Sequence, residues 1–405
     1  MRMVDDGMRV YFAPCGIALG HAGRCIPVAK TFVKRGHDVY FSTYGEAVPF
    51  VRKAGFQVAE VPPINVYEYE DGTVNIKRTF AQGPQHLMTF SSQVGAELNL
   101  MEHFKPNIVI SDSRLSTILA ARMMRIIPVL ILHQLKLMMP HQKPVLGNRA
   151  KLKRAFERTS LEVLGSMWKL SKVIIVPDFP APYTIAKANV VPSNQYIKKL
   201  RLVGPIVPKY PDELPAPEEI KRSLGLDDRP LILAAISGTL AEKGQIAGKL
   251  TEIFKEFPDR YNIVLTKGLS EIPNPLDTQM NNKRLRVFNW INDRYSYLKA
   301  CDILVTRGGH NTVAEAIYFG KPLVVVPTPA HSEHQGIAES IVKMGLGVSI
   351  QQKNLTKDEL LAGVESITSS TIVMEKVKDA QRFALRYNAI ESIYKIVCDA
   401  LNSPH

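Results

Sequence analysis

Two series of short, apolar, β-branched runs, each followed by a helical stretch, divide this chain and leave few folds open to it. The first series is RVYFAP (9–14), DVYFST (38–43), FQVAEVP (56–62), NIVIS (107–111), PVLILH (128–133) and KVIIVP (172–177). The second is PLILAAI (230–236), YNIVLT (261–266), LRVFNW (285–290), DILVT (302–306), PLVVVP (322–327) and GVSI (347–350). Runs this apolar belong to strands covered on both faces, and strand–helix repeats build a parallel sheet between helical layers. Between the series, VGPIVPKYPDELPAPEE (203–219) carries five prolines and little periodicity, as an interdomain linker does. The expected architecture is α/β, two Rossmann-like doubly wound domains facing a cleft. A first domain would cover 1–203, a linker 204–217 and a second domain 218–380. A C-terminal helix over 381–405 would be free to pack back on the first domain.

Length agrees, since 405 residues exceed one comfortable core. A hydrophobic content of 45% and a charged content of 22% suit a soluble globular protein. Cys15, Cys25, Cys301 and Cys398 never form a CxxC, which speaks against zinc or a disulfide framework and suits a reducing compartment. No signal peptide is legible. The most apolar segment, IIPVLILHQLKLMMP (126–140), is interrupted by His133, Gln134 and Lys136 and falls short of the about 20 apolar residues that span a bilayer. The net charge of +13 favours an anionic partner. Between Lys136 and Lys172, Lys143, Arg149, Lys151, Lys153, Arg154, Arg158 and Lys169 interleave with Leu152, Phe156, Leu161, Leu164, Met167, Trp168 and Leu170. Such a stretch either lies on an anionic membrane or packs its apolar side on its own domain. Nucleic acid is the weakest partner, for no zinc finger or RRM-like aromatic pattern occurs.

In open α/β sheets ligands sit at strand ends, and the chemistry-bearing loops fall there. After the first strand, PCGIALGHAGR (14–24) sets Gly16, Gly20 and Gly23 around His21, either a helix cap or a general base. Asp112 ends a strand on the same edge, either capping the next helix or orienting the His21 ring. In the second series AISGTLAEKG offers Ser237, Gly238 and Thr239, hydroxyls and open N–H groups that cradle phosphate. FNWIN places Trp290 and Ile291 at another strand end, as a flank for a planar base or as core. TRGGHNTVAEA brings Arg307, Gly308, Gly309, His310, Asn311 and Thr312 to a helix mouth, where the helix dipole favours an anion. Glu315, one turn in, suits ribose hydroxyls better than phosphate. PTPAHSEHQ presents His331, Glu333, His334 and Gln335 without the HExxH spacing of a zinc site.

In order, NWIN … RGGHNTVAEA … PTPAHSEHQ resembles the nucleotide-sugar signature of UDP-glycosyltransferases, and GIALGHAGRCIP resembles the glycine–histidine loop of MurG-like enzymes. Over nearly its whole length the chain looks like a GT-B glycosyltransferase. The resemblance implies that Trp290 and Ile291 border uracil. Gly309, Asn311 and Thr312 would hold the diphosphate with Ser237, Gly238 and Thr239. Arg307, Gly308, His310 and Gly20 would also belong to the nucleotide-sugar site. Glu315 would hold ribose, and Glu333 and Gln335, beside His331 and His334, the donor sugar. His21 matches the base and Asp112 its partner. Arg307 and His310 replace the usual histidine and tryptophan, and Gly336 the second glutamine of MurG's sugar-binding pair.

The implied reaction is an inverting, metal-independent transfer from a UDP-sugar, GlcNAc before glucose, with no other cofactor; no Asp-x-Asp occurs. The implied acceptor is a lipid-linked phosphate or glycan, and the implied location cytoplasmic, peripheral on the inner membrane face. The competing expectations are a nucleotide-sugar hydrolase or epimerase, and a non-catalytic nucleotide-sugar-binding subunit.

Overall fold

The structure is a computed structural model describing residues 7–17, 19–63, 83–132, 135, 147, 151, 159, 162, 165–190, 195–238, 240–269, 272–274, 279–280, 284–329 and 331–402. The first half runs β1 (Arg9–Pro14), α1 (Gly20–Lys34), β2 (Asp38–Thr43), α2 (Ala47–Lys53), β3 (Val58–Glu60), α3 (Gly83–Phe104), β4 (Ile108–Asp112), α4 (Leu115–Met123), β5 (Ile127–Ile131), β6 (Val173–Val176) and β7 (Leu200–Leu202). These strands form one parallel sheet in the order β3-β2-β1-β4-β5-β6-β7. Both faces are covered, as the double-sided apolarity of β1 requires. Val10 and Phe12 join Val28 and Phe32 of α1 on one side. Tyr11 and Ala13, pointing the other way, join Met101 of α3 and Ala120 of α4.

The second half runs α5 (Pro217–Ser223), β8 (Leu231–Ala235), α6 (Leu240–Lys255), β9 (Asn262–Thr266), β10 (Gln279–Met280), β11 (Leu285–Phe288), α7 (Arg294–Ala300), β12 (Ile303–Thr306), α8 (His310–Tyr318), β13 (Leu323–Val325), α9 (Ser332–Met344), β14 (Gly347–Ser349), α10 (Lys357–Thr368) and α11 (Thr371–Ala384). The order is β10-β11-β9-β8-β12-β13-β14, parallel except for β10. The two α/β sheets are those expected.

Domain membership crosses the linker in both directions. Phe179, Ile185 and Ala186, ahead of the expected boundary at 203, pack in the second domain's core. The last helix, α12 (Ala389–Asn402), presents Ala389, Ile393, Val397 and Ala400 on one face to the core of the first domain. Because α11 still belongs to the second domain through Val377, Ala380 and Ala384, the return falls at residues 385–388 and not at 381. The two crossings touch: Gly204, at φ +81°, runs so close to Tyr387 that a Cβ would meet it at 2.7 Å. The basic stretch Lys136–Lys172 lies mostly outside the described residues, as does Thr239.

Candidate active site

The first sheet reverses its winding between β1 and β4, which opens a crevice at their carboxyl ends. Asp112 closes β4 in register with Pro14 of β1, and its carbonyl accepts the Cys15 N–H at 3.0 Å. The loop after β1 delivers His21 to the first turn of α1. Neither residue is a helix cap: Leu19 holds that position for α1 and Arg114 for α4. Instead His21 Nδ1 lies 2.8 Å from Asp112 Oδ1. The carboxylate is fully buried, whereas the ring is one-fifth exposed and lines a cleft of about 1160 Å³.

Arg24 completes this group, and sequence reading missed it. Only 3% exposed, it places Nε 2.5 Å from Asp112 Oδ2 and Nη2 2.5 Å from Oδ1. Its i+3 spacing from His21, which puts both on one helix face, was the available signal. Arg24 Nη2 also comes within 3.0 Å of His21 Nδ1. Two roles for Nδ1 therefore compete. An Nδ1 lone pair 2.8 Å from a carboxylate oxygen would be strongly repulsive, so Nδ1–H donates to Asp112 and the ring's lone pair lies on Nε2. Burial by itself would raise the Asp112 carboxyl; the charges of Arg24 and then His21 outweigh it and hold the group well below the usual carboxylate range.

The second sheet has its own reversal between β8 and β12, in register at Ala235 and Thr306. The loop after β8 supplies Ser237 and Gly238; Gly309 is the N-cap of α8. A Cβ on Gly309 would stand 2.9 Å from Ser237 Oγ, so glycine keeps this peptide open. Ser237 Oγ is buried and makes no hydrogen bond. An unpaired hydroxyl beside an open helix mouth has the chemistry of an anion site. Asn311 Nδ2 donates to Gly20 O at 3.0 Å, so the helix mouth touches the loop that carries His21.

The other expected donor residues divide. Gly20, Gly238, Trp290, Ile291, Thr312, Glu315, His331, Glu333 and His334 line the cleft with those above. Trp290 meets Phe50 of the first domain edge-on, with ring centroids 6.3 Å apart. Its backbone is pinned by Asn274, which accepts its N–H at 3.0 Å and donates to its carbonyl at 2.8 Å. Glu315 Oε1 accepts from Arg294 and, at 2.8 Å, from the Tyr295 hydroxyl. Neither partner was singled out from sequence, although a buried carboxylate calls for a cation. His331 caps α9 and stacks on His334 at 4.0 Å. Burial and then the neighbouring His331 push the His334 ring well below the usual histidine range.

Three of the expected residues stand apart from the cleft: Arg307, Gly308 and Gln335 do not line it. Arg307, 2% exposed, donates to Gln352 Oε1 at 2.5 Å and Thr328 Oγ1 at 2.6 Å, bracing the loops behind the site. Gln335 exchanges hydrogen bonds with Gln351 and reaches the Thr328 carbonyl. His310 borders the cleft, and its Nε2 lies 3.4 Å from Asp178 Oδ2, a carboxylate just past β6 that is held by the N–H groups of Phe179, Ile185 and Ala186. Among the described residues no group of three or more His, Cys, Asp or Glu is arranged to hold a metal ion, and no helix is long and apolar enough to cross a membrane.

Comparison with known proteins accords with this geometry. The glycosyl transferase family 1 model matches residues 8–192, and the glycosyltransferase family 28 C-terminal domain matches 241–392. An uncharacterized glycosyltransferase of Methanosarcina acetivorans is 25% identical over 393 residues, covering 96% of this chain and 98% of that protein. A UDP-N-acetylglucosamine--N-acetylmuramyl-(pentapeptide) pyrophosphoryl-undecaprenol N-acetylglucosamine transferase of Thermosipho africanus is 28% identical over 142 residues, 35% of this chain and 40% of that one. Among solved structures, the calicheamicin glycosyltransferase CalG4 superposes with a TM-score of 0.66 at 17% identity, covering 98% of this chain and 99% of its own. The glycosyltransferase VinC in complex with dTDP gives 0.62 at 16%, covering 98% and 100%. With both halves matched by glycosyltransferase models and the whole chain sharing the two-domain fold, this protein is a GT-B glycosyltransferase.

Proposed function

We propose that the enzyme moves a hexose from a UDP-sugar to a hydroxyl acceptor in one inverting, metal-independent displacement. The observation that carries this reading is the His21–Asp112 pair, whose imidazole lines a cleft that also holds the α8 mouth. The acceptor oxygen attacks C1 of the sugar and gives its proton to His21 Nε2. The C1–O bond to the diphosphate breaks, and its electron pair leaves with UDP. Asp112 offsets the imidazolium charge, and base catalysis of this kind contributes about 10²–10⁴-fold. The leaving group's charge meets the N-terminus of α8, the open Gly309 peptide and Ser237 Oγ.

The UDP-N-acetylglucosamine transferases among the relatives support GlcNAc as the first donor to test, with UDP-glucose next. The dTDP bound by VinC supports a nucleoside diphosphate while leaving the base to experiment. The net charge of +13 and the basic–apolar stretch at 136–172 support an acceptor carried at an anionic membrane surface, a lipid-linked phosphate or glycan on the cytoplasmic face.

A thermal-shift panel of UDP-GlcNAc, UDP-glucose, dTDP-glucose and GDP-mannose, run on wild type and His21→Ala, tests the donor and the base together. UDP-GlcNAc is expected to shift both proteins alike, while the variant loses turnover by about 10²–10⁴-fold. Wild-type rates in His21→Ala would remove the base from this scheme.

A further inference from the structure

In the reading above the base stands in the first domain and the diphosphate in the second, so transfer depends on how the loop after β1 sits against α8. A directional bond ties the two. Asn311 and Gly20 both line the cleft, and Asn311 Nδ2 donates to Gly20 O at 3.0 Å. A carbonyl can only accept, so the amide nitrogen of Asn311, and not its oxygen, faces Gly20. The two residues are in close contact, for a Cβ on Gly20 would stand 3.7 Å from Nδ2. Gly20 opens α1, and its carbonyl shares one peptide plane with the N–H of His21. Asn311 therefore grips the peptide unit from which the His21 side chain hangs. Its own backbone N–H lies in the first turn of α8, where a helix offers no internal partner, and stays with the mouth. Elsewhere along the cleft the domains meet through the rings of Trp290 and Phe50, edge-on at 6.3 Å. Ring packing of that kind limits approach, whereas a hydrogen bond also fixes orientation.

We propose that Asn311 is a positioning residue for His21, its carboxamide holding the Gly20–His21 peptide against the mouth of α8 so that the imidazole and the sugar carbon stay at reacting distance. The inference rests on the nucleotide-sugar reading and moves the Asn311 side chain, which the family resemblance gives to the diphosphate, to the service of the base. His21 then has two supports. Asp112, braced by Arg24, orients the ring from within the first domain, and Asn311 fixes its backbone from the second. The first support sets the tautomer and the second sets the placement. A displacement of about 1 Å at a reacting group costs on the order of 10²-fold in rate. Loss of Asn311 therefore acts on the chemical step and spares donor affinity.

The test compares wild type with Asn311→Ala by calorimetric titration of UDP and dTDP and by nucleotide release from UDP-GlcNAc, UDP-glucose and dTDP-glucose. Water and glycerol serve as the acceptor probes, since each must lose a proton as it attacks. For the accepted donor, Asn311→Ala is expected to lower kcat by roughly 10- to 100-fold while KM and the Kd of the diphosphate stay within about twofold. The pH profile of kcat should keep its shape at the lower rate, because Asp112 still orients the ring. A loss of diphosphate affinity of about tenfold or more would return the side chain to the phosphates, and an unchanged kcat would leave His21 placed without it. Either result, or a profile displaced along the pH axis, would overturn the assignment. Wild type that binds neither diphosphate, or releases none from any of these donors, would sink the transfer reading itself, and this inference with it.

Discussion

Arg24 is the residue whose removal tests the catalytic edge most sharply. Arg24→Met keeps most of the stem volume but withdraws both hydrogen bonds from a carboxylate that has no exposure. Leaving one member of a buried ion pair without the other costs about 3–5 kcal/mol. At roughly 2–4 °C per kcal/mol for a domain of about 200 residues, the first domain should melt roughly 6–20 °C lower. His21 and the Ser113 hydroxyl, 2.8 and 3.0 Å from Asp112 Oδ1, remain to share the charge, which favours the lower half of that range. The imidazole then becomes the nearest group able to balance Asp112. With the Asp112 carboxylate no longer braced by Arg24, the ring it orients loses its fixed position, so activity should fall along with stability. The pH dependence has a definite sign. In wild type the Asp112 carboxyl is depressed, so its contribution is complete above the ordinary carboxylate value near 3.9 and is lost as pH falls through the folded value below it. In Arg24→Met burial is no longer outweighed by the guanidinium, protonation relieves the variant, and its deficit against wild type should shrink on acidification. Urea denaturation at pH 7 and pH 4.5 measures both effects. The double variant Arg24→Met/Asp112→Asn, which has no stranded charge, should be more stable than Arg24→Met alone. A single variant within about 1 kcal/mol of wild type, or a double variant no better than the single, would refute the reasoning.

Gly309→Ala adds a Cβ 2.9 Å from Ser237 Oγ and closes the helix mouth; diphosphate affinity should drop at least about tenfold with little change in melting temperature, and unchanged affinity would move the anion elsewhere. Gly347→Ala puts a Cβ 1.9 Å from the Leu323 carbonyl inside the β13–β14 pairing; a loss of about 2–4 kcal/mol or insolubility is expected, and a wild-type melting curve would contradict the strand register. Turnover should be insensitive to EDTA, and inactivation by chelator with rescue by Mn²⁺ would contradict the metal-independent scheme. Co-sedimentation with anionic liposomes should be present at low salt and fade as salt rises, while no binding at low salt would argue for a soluble acceptor.

What the sequence determined by itself is the part written in local periodicity and turn chemistry. Apolar runs such as RVYFAP and PLILAAI dictate two-faced buried strands, and glycines at 308 and 309 sit where a strand must turn into a helix beneath an open peptide. The order of the loops along two sheets follows from those signals, as does the placement of His21 and Asp112 on one edge. Long-range direction was decided elsewhere. Arg24 reaches Asp112 across 88 residues, and Asn311 reaches Gly20 across 291, because the strand order β3-β2-β1-β4 and the facing of the two sheets bring them together. Arg307 sits in the most signature-like motif of the chain and still points into the body of the domain, toward Gln352 and Thr328. A strand's periodicity says which positions are buried but not which neighbours they meet. Around a turn even the facing of a side chain depends on partners that only the folded chain supplies.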